Sequence, residues 1–225
     1  MLFNSLSFVV FLIVVLALYY SKIFKWNGKK RILLFASYIF YGLWNPPLVI
    51  LLWISTLVDW ITGKKLAIEE NKRKRVLWLL LSMGVNLGFL TFFKYRDFLL
   101  DNFTTVVNTY GYGYQTQPMD IILPMGISFY TFQTMSYTID VYRGHVKANR
   151  NFIEFAAYVT MFPQLVAGPI VRYADIYKQL KNKNISLSNF TTGVERFIIG
   201  LAKKMLLANT FATIADDIFA QNISE

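Results

Sequence analysis

VLWLLLSMGVNLGFLTFF, Val76 to Phe93, runs 18 residues without a charged side chain, between Lys72-Arg73-Lys74-Arg75 and Lys94. A stretch of that length and composition reads as a membrane-crossing helix rather than a buried strand or a short core helix. The rest of the chain has the same texture. Its 225 residues are 55% hydrophobic and only 16% charged, where a soluble domain carries about 25% charged residues. Disorder is excluded, because it requires low hydrophobicity. The absence of cysteine excludes a disulfide scaffold and any Cys-based metal or redox site. The expected fold is all-α, a multi-pass transmembrane helical bundle in one domain, 1–225.

Outward from that run, spans are expected at about 2–20, 32–44, 48–62, 76–93 and 121–141. The first is read as retained, since it lacks the basic start and small-residue cleavage site of a signal peptide. Asn45-Pro46-Pro47 turns a hairpin between the second and third. An amphipathic piece, Phe98 to Val107, follows the fourth. The stretch 152–171 holds Glu154, Pro163 and Pro169 and has basic residues on both flanks, which suggests a re-entrant segment. A capping-box pattern, Thr192-Gly193-Val194-Glu195, is expected to open a helix over 193–219. Lys203-Lys204 leaves the placement of that helix open.

Charge sets the orientation. Lys22, Lys25, Lys29, Lys30 and Arg31 form one basic loop, and Lys64, Lys65 and Lys72 to Arg75 supply the next. The Asn-Pro-Pro turn between them has no base, so both loops face the cytoplasm and the N-terminus lies outside. Arg143, Lys147 and Arg150 follow on the same side. The net charge of +10 is explained by loops facing anionic lipid, not by nucleic acid. The expected location is the cell (inner or plasma) membrane.

Polar residues inside the spans fall into stripes. Ser55, Asp59 and Thr62 share a helix face, as do Ser82 and Asn86 beside Gly84-x-x-x-Gly88, and Tyr130, Gln133, Tyr137 and Asp140. Small residues at that spacing let helices approach closely, and interhelical hydrogen bonding is the commoner role of such stripes. Asp59 and Asp140 are placed near span ends, within reach of water. The one histidine, His145, reads as a solvated loop residue with no partner. No phosphate loop, dinucleotide fingerprint, His-x-x-x-His pair or nucleophile elbow is present. Four Asn-x-Ser/Thr triplets, at Asn102, Asn184, Asn189 and Asn222, carry little weight.

Pro124-Met125-Gly126-Ile127-Ser128-Phe129-Tyr130-Thr131-Phe132-Gln133, continuing through Asp140-Val141-Tyr142-Arg143-Gly144, resembles the membrane-bound O-acyltransferase family. So does Phe162-Pro163-Gln164-Leu165-Val166-Ala167-Gly168-Pro169-Ile170-Val171-Arg172-Tyr173. The likeness is closest to the alginate O-acetylation branch, and Met1 to Ser5 and Gly200 to Lys204 also fit it. The resemblance implies helices around a narrow channel through which an acyl group, acetyl in this branch, passes from a cytoplasmic donor to an exported polysaccharide or its periplasmic carrier. Acetyl-CoA or an acyl carrier would be the donor substrate, with no bound cofactor and no metal. The implied partners are the lipid bilayer, a periplasmic acetyltransferase and the polysaccharide acceptor.

The family's general-base histidine lies in a Trp-His motif that this sequence lacks, and His145 does not inherit the role. The chain is therefore expected to be the N-terminal half of the enzyme, inactive alone, with the catalytic histidine beyond residue 225. By the resemblance, Ser128, Gln133, Asp140, Gln164 and Arg172 line the channel, and Arg172 holds an anionic donor or anchors the interface. The competing readings are a transporter or channel-like module without chemistry and an assembly subunit of a polysaccharide export system.

Overall fold

In the computed structural model, described for residues 5–115, 119, 121–166, 168–181 and 186–222, the described residues form helices and connecting turns. Met1 to Asn4, Ala167 and Asn184, which figured in the sequence reading, lie outside them.

Helix α1, Leu6–Tyr20, is capped by Ser5, whose hydroxyl accepts from the Phe8 amide at 3.2 Å. Helix α2, Trp26–Gly42, starts earlier than expected and takes up Lys29, Lys30 and Arg31. A 3-10 turn at Pro46–Leu48 then leads into α3, Val49–Ile68. The proline turn makes a hairpin, as the Asn-Pro-Pro sequence required.

Helix α4, Lys72–Leu90, is capped by Asn71. It does not end with the apolar run at Phe93. A π turn, Thr91–Tyr95, carries it into α5, Arg96–Thr109, for 38 residues in all. That is about 57 Å of helix, well beyond a hydrocarbon core of roughly 30 Å.

Helix α6, Ile127–Tyr142, is shorter than the expected span. Pro124 and Gly126 delay its start. Gly126 has φ +74°, and a β-carbon there would lie 2.2 Å from the Leu165 carbonyl oxygen. Only glycine fits. Residues 152–171 form a broken element: α7, Phe152–Thr160, then α8, Phe162–Leu165. Pro163 cannot donate a hydrogen bond and its ring clashes with the preceding turn, so one helix cannot run through. Residues Glu154 to Thr160 are all buried, which is where irregular backbone at membrane depth is tolerated.

Helix α9, Tyr173–Lys181, follows. Helix α10, Leu187–Ala202, passes through a second π turn, Lys203–Ala208, into α11, Asn209–Asn222. Its cap is Ser186, accepting from the Asn189 amide at 3.2 Å. The expected start near 193 is corrected by that cap, and Thr192 to Glu195 lie inside the helix.

Helix α3 packs against α4 and α6, α4 also against α6, and α2 against α7. Tyr137 holds the centre, with Phe155 at 4.5 Å and Tyr173 at 5.0 Å between ring centroids. Arg75, in α4 rather than in a loop, closes one end of the bundle. It donates to the Leu66 carbonyl at the end of α3 (2.6 Å) and to the Tyr142 carbonyl at the end of α6 (2.7 Å). Those carbonyls lack helical partners, and a cation suits them. By length and composition, Pro46–Ile68, Lys72–Thr109 and Leu187–Ala220 can each cross a membrane, and Leu6–Tyr20 is a shorter apolar helix. The chain is a helical membrane protein.

Candidate functional site

Three polar stripes converge where α3, α4 and α6 meet. Asp59 is fully buried, and α3 runs on well past it to Ile68, so it lies in mid-helix rather than near a wet end. Ser82 donates to its Oδ1, Thr138 donates to the same oxygen at 3.1 Å, and Asn86 donates to Oδ2 at 2.8 Å. Ser55 and Thr134 in turn donate to Asn86 Oδ1, its side-chain amide oxygen, at 2.6 and 3.3 Å. A carboxylate in a membrane interior is costly unless its oxygens are satisfied, and here both are. The close approach does not involve Gly84 and Gly88, where an added β-carbon would meet nothing within 4 Å. It occurs at Gly63, where a β-carbon would lie 2.8 Å from the Tyr137 ring.

The opposite face of α6 meets the broken helix. The Nε2 atoms of Gln133 and Gln164 both donate to the Tyr158 carbonyl, each at 2.8 Å. That carbonyl lies in the last turn of α7, where the break removes its helical partner. The Phe162 amide, which would serve it in a continuous helix, turns instead to the Ser37 hydroxyl at 3.1 Å, and the two glutamines take its place. The Tyr158 hydroxyl donates to the Val171 carbonyl at 2.8 Å, tying in the far end of the segment.

Asp140 is 2% exposed and pairs with Arg172, whose guanidinium donates to Oδ1 at 2.5 Å while staying about half exposed. The carboxylate pushes the guanidinium pKa up, first through that hydrogen bond, so Arg172 stays cationic. Among the described residues, Oδ2 of Asp140 has no hydrogen-bond partner. His145 does meet a partner, contrary to the sequence reading. Its Nδ1 lies 3.5 Å from Asp140 Oδ1, and its amide donates to the Asp140 carbonyl at 2.9 Å. The Asp140 carboxylate thus sits between a guanidinium and an imidazole that both reach solvent. An incoming anion would compete with it for Arg172.

Ser128 stands apart, at the other end of α6, accepting from Lys94 Nζ at 3.2 Å. The five sequence candidates therefore fall in three places: Gln133 with Gln164, Asp140 with Arg172, and Ser128 alone. One important pairing escaped the sequence reading. Lys30 is buried and ion-paired with buried Glu154 across α2 and α7. Glu154 was visible as a charge in an apolar stretch, but nothing local to Lys30 distinguished it from its basic neighbours. Among the described residues no group of His, Asp or Glu is arranged to hold a metal ion.

Residues 145–222 match the membrane-bound O-acyltransferase family. Along 98% of its length the chain is 40% identical to the probable alginate O-acetylase AlgI of Pseudomonas putida and 38% identical to that of Pseudomonas aeruginosa. It is 32% identical over 83% of its length to a peptidoglycan O-acetyltransferase of Helicobacter pylori. It spans 45%, 42% and 40% of those three proteins, less than half of the curated relatives it matches. No solved structure matches it.

Proposed function

The chain belongs to the membrane-bound O-acyltransferase family, and from that premise we propose that it forms the N-terminal part of an O-acyltransferase. The protein passes an acyl group, acetyl by its likeness to alginate O-acetylases, from a cytoplasmic donor to an exported polysaccharide or its periplasmic carrier. The observation that carries this reading is the whole-length similarity to the alginate O-acetylases. The donor is a thioester such as acetyl-CoA or an acylated carrier, and a periplasmic acetyltransferase is the partner expected on the far side.

The geometry supports roles for particular residues. The break between α7 and α8, braced by Gln133 and Gln164, is an irregular element of the kind that lines a passage through a membrane protein. The Asp140–Arg172 pair lies at the end of the bundle where Arg75 and Arg143 gather, which the count of basic residues assigns to the cytoplasm. Arg172 there meets the donor's anionic group and Asp140 holds it in readiness. The N-terminus lies outside and the membrane is the cell's inner or plasma membrane. No residue of this chain is assigned as the general base.

The test is acetyl transfer by membrane vesicles carrying the gene's full product, with a labelled acetyl thioester and a polysaccharide acceptor. Label in the polymer is expected from the full product and not from residues 1–225 alone. Unlabelled polymer with a correctly inserted full product would overturn the proposal. Asp140→Ala is expected to reduce transfer at least about tenfold, the scale of losing one charge-assisted contact.

A further inference from the structure

At the end of the bundle away from Arg75 and Arg143, an open pocket of about 250 Å³ is walled by Trp44, Lys94, Pro124, Met125, Ser128 and Phe129. Three separate parts of the chain meet there: the end of the α2–α3 hairpin, the π turn of α4, and the loop entering α6. The π turn places one extra residue in the helical repeat, a distortion frequent at functional sites. Lys94 lies in that turn and reaches across to the Ser128 hydroxyl at 3.2 Å. Among the described residues Lys94 makes no ion pair, and no acidic residue lines the pocket.

We infer that this pocket binds a carboxylate-bearing sugar unit of the exported polymer. The chemistry on the wall is that of an acidic saccharide site. The half-buried indole of Trp44 and the ring of Phe129 offer flat apolar faces for a pyranose. Lys94 offers an ammonium to a carboxylate, and Ser128 offers a hydroxyl that can donate to it once the ammonium moves to the sugar. Drug-sized ligands occupy roughly 300–1,000 Å³, so this smaller space suits a single ring of a longer chain. The orientation by basic residues puts the pocket outside, where an exported acceptor would arrive. The inference rests on the proposed function for the nature of that acceptor, but the binding itself requires no acyl transfer.

The experiment is calorimetric titration of the full protein in lipid nanodiscs, with a uronic-acid tetrasaccharide and a neutral glucose tetrasaccharide as probes. The uronate is expected to bind, less tightly as salt rises, with the neutral sugar at least tenfold weaker. Lys94→Gln is expected to weaken the uronate about tenfold and Lys94→Arg to keep it. Trp44→Leu is expected to weaken both sugars. No heat with the uronate, equal binding of the two sugars, or unchanged uronate binding by Lys94→Gln would each overturn the inference. Uronate binding by a protein that transfers no acetyl group would preserve the inference and remove the proposed function.

Discussion

Helices α3, α4 and α6 and the helix α10–α11 are similarly apolar, yet they treat their polar groups in opposite ways. In the first set, polar side chains turn inward and satisfy one another around Asp59. Along Leu187–Ala220, the most apolar window has no buried residue, and Leu206, Phe211 and Phe219 are among the exposed hydrophobics. Its contact with the remainder includes Phe190 against Tyr20, 5.0 Å between centroids. The difference teaches how a membrane bundle is held together. Apolar surface gives no advantage over lipid, so helices associate where polar groups and close packing can be shared.

The comparison can be broken most sharply at the ion pair between α2 and α7. Lys30→Met leaves Glu154 buried and unpaired and is expected to cost about 3–5 kcal/mol in equilibrium unfolding from mixed micelles. Lys30→Met combined with Glu154→Met is expected to recover most of that. If the double variant is as unstable as the single one, the pair holds α7 by more than its charge. Next in size, Asp59→Leu takes the acceptor from the Ser82 hydroxyl and one of the hydrogen bonds from Asn86 and from Thr138, and is expected to cost about 2 kcal/mol in the same measurement. A neutral result would mean that apolar packing replaces the network.

Glycine separates the two kinds of surface at a smaller scale. Gly63→Ala is expected to cost about 1–2 kcal/mol, because Tyr137 is buried and held by the Asn149 amide at 2.9 Å. Gly84→Ala meets open space and is expected to add up to about 1 kcal/mol. The smallest effect is expected from Leu206→Ala, within about 0.5 kcal/mol. A larger loss there would show that another protein surface covers the helix in the membrane.

The stripes were legible because a helix places residues three and four apart on one face. Ser55 with Asp59, Ser82 with Asn86, and Gln133 with Asp140 could each be assigned to one shared face from spacing alone. Their partners could not, since Gln133 and Gln164 meet only after α6 folds against the broken helix. The Gly84–Gly88 pair had the spacing of an interface and faces away from one, because spacing shows which residues share a face and not which face is covered. Element ends were misplaced for a local reason. Lys29, Lys30, Arg31 and Lys72 to Arg75 continue into helices, and Ser186 rather than Thr192 supplies the cap of α10.

By itself the sequence determined that this is an all-helical membrane protein, and its two long motifs pointed to a family. Runs of apolar residues, prolines and clustered bases act locally or through the bilayer, so their meaning does not depend on distant partners. Only the tertiary structure decided that Lys30 meets Glu154, that two glutamines brace one carbonyl, and that Lys94 and Trp44 share a pocket. Each of those depends on residues brought together from far along the chain, where burial and hydrogen-bond satisfaction are properties of the packed whole.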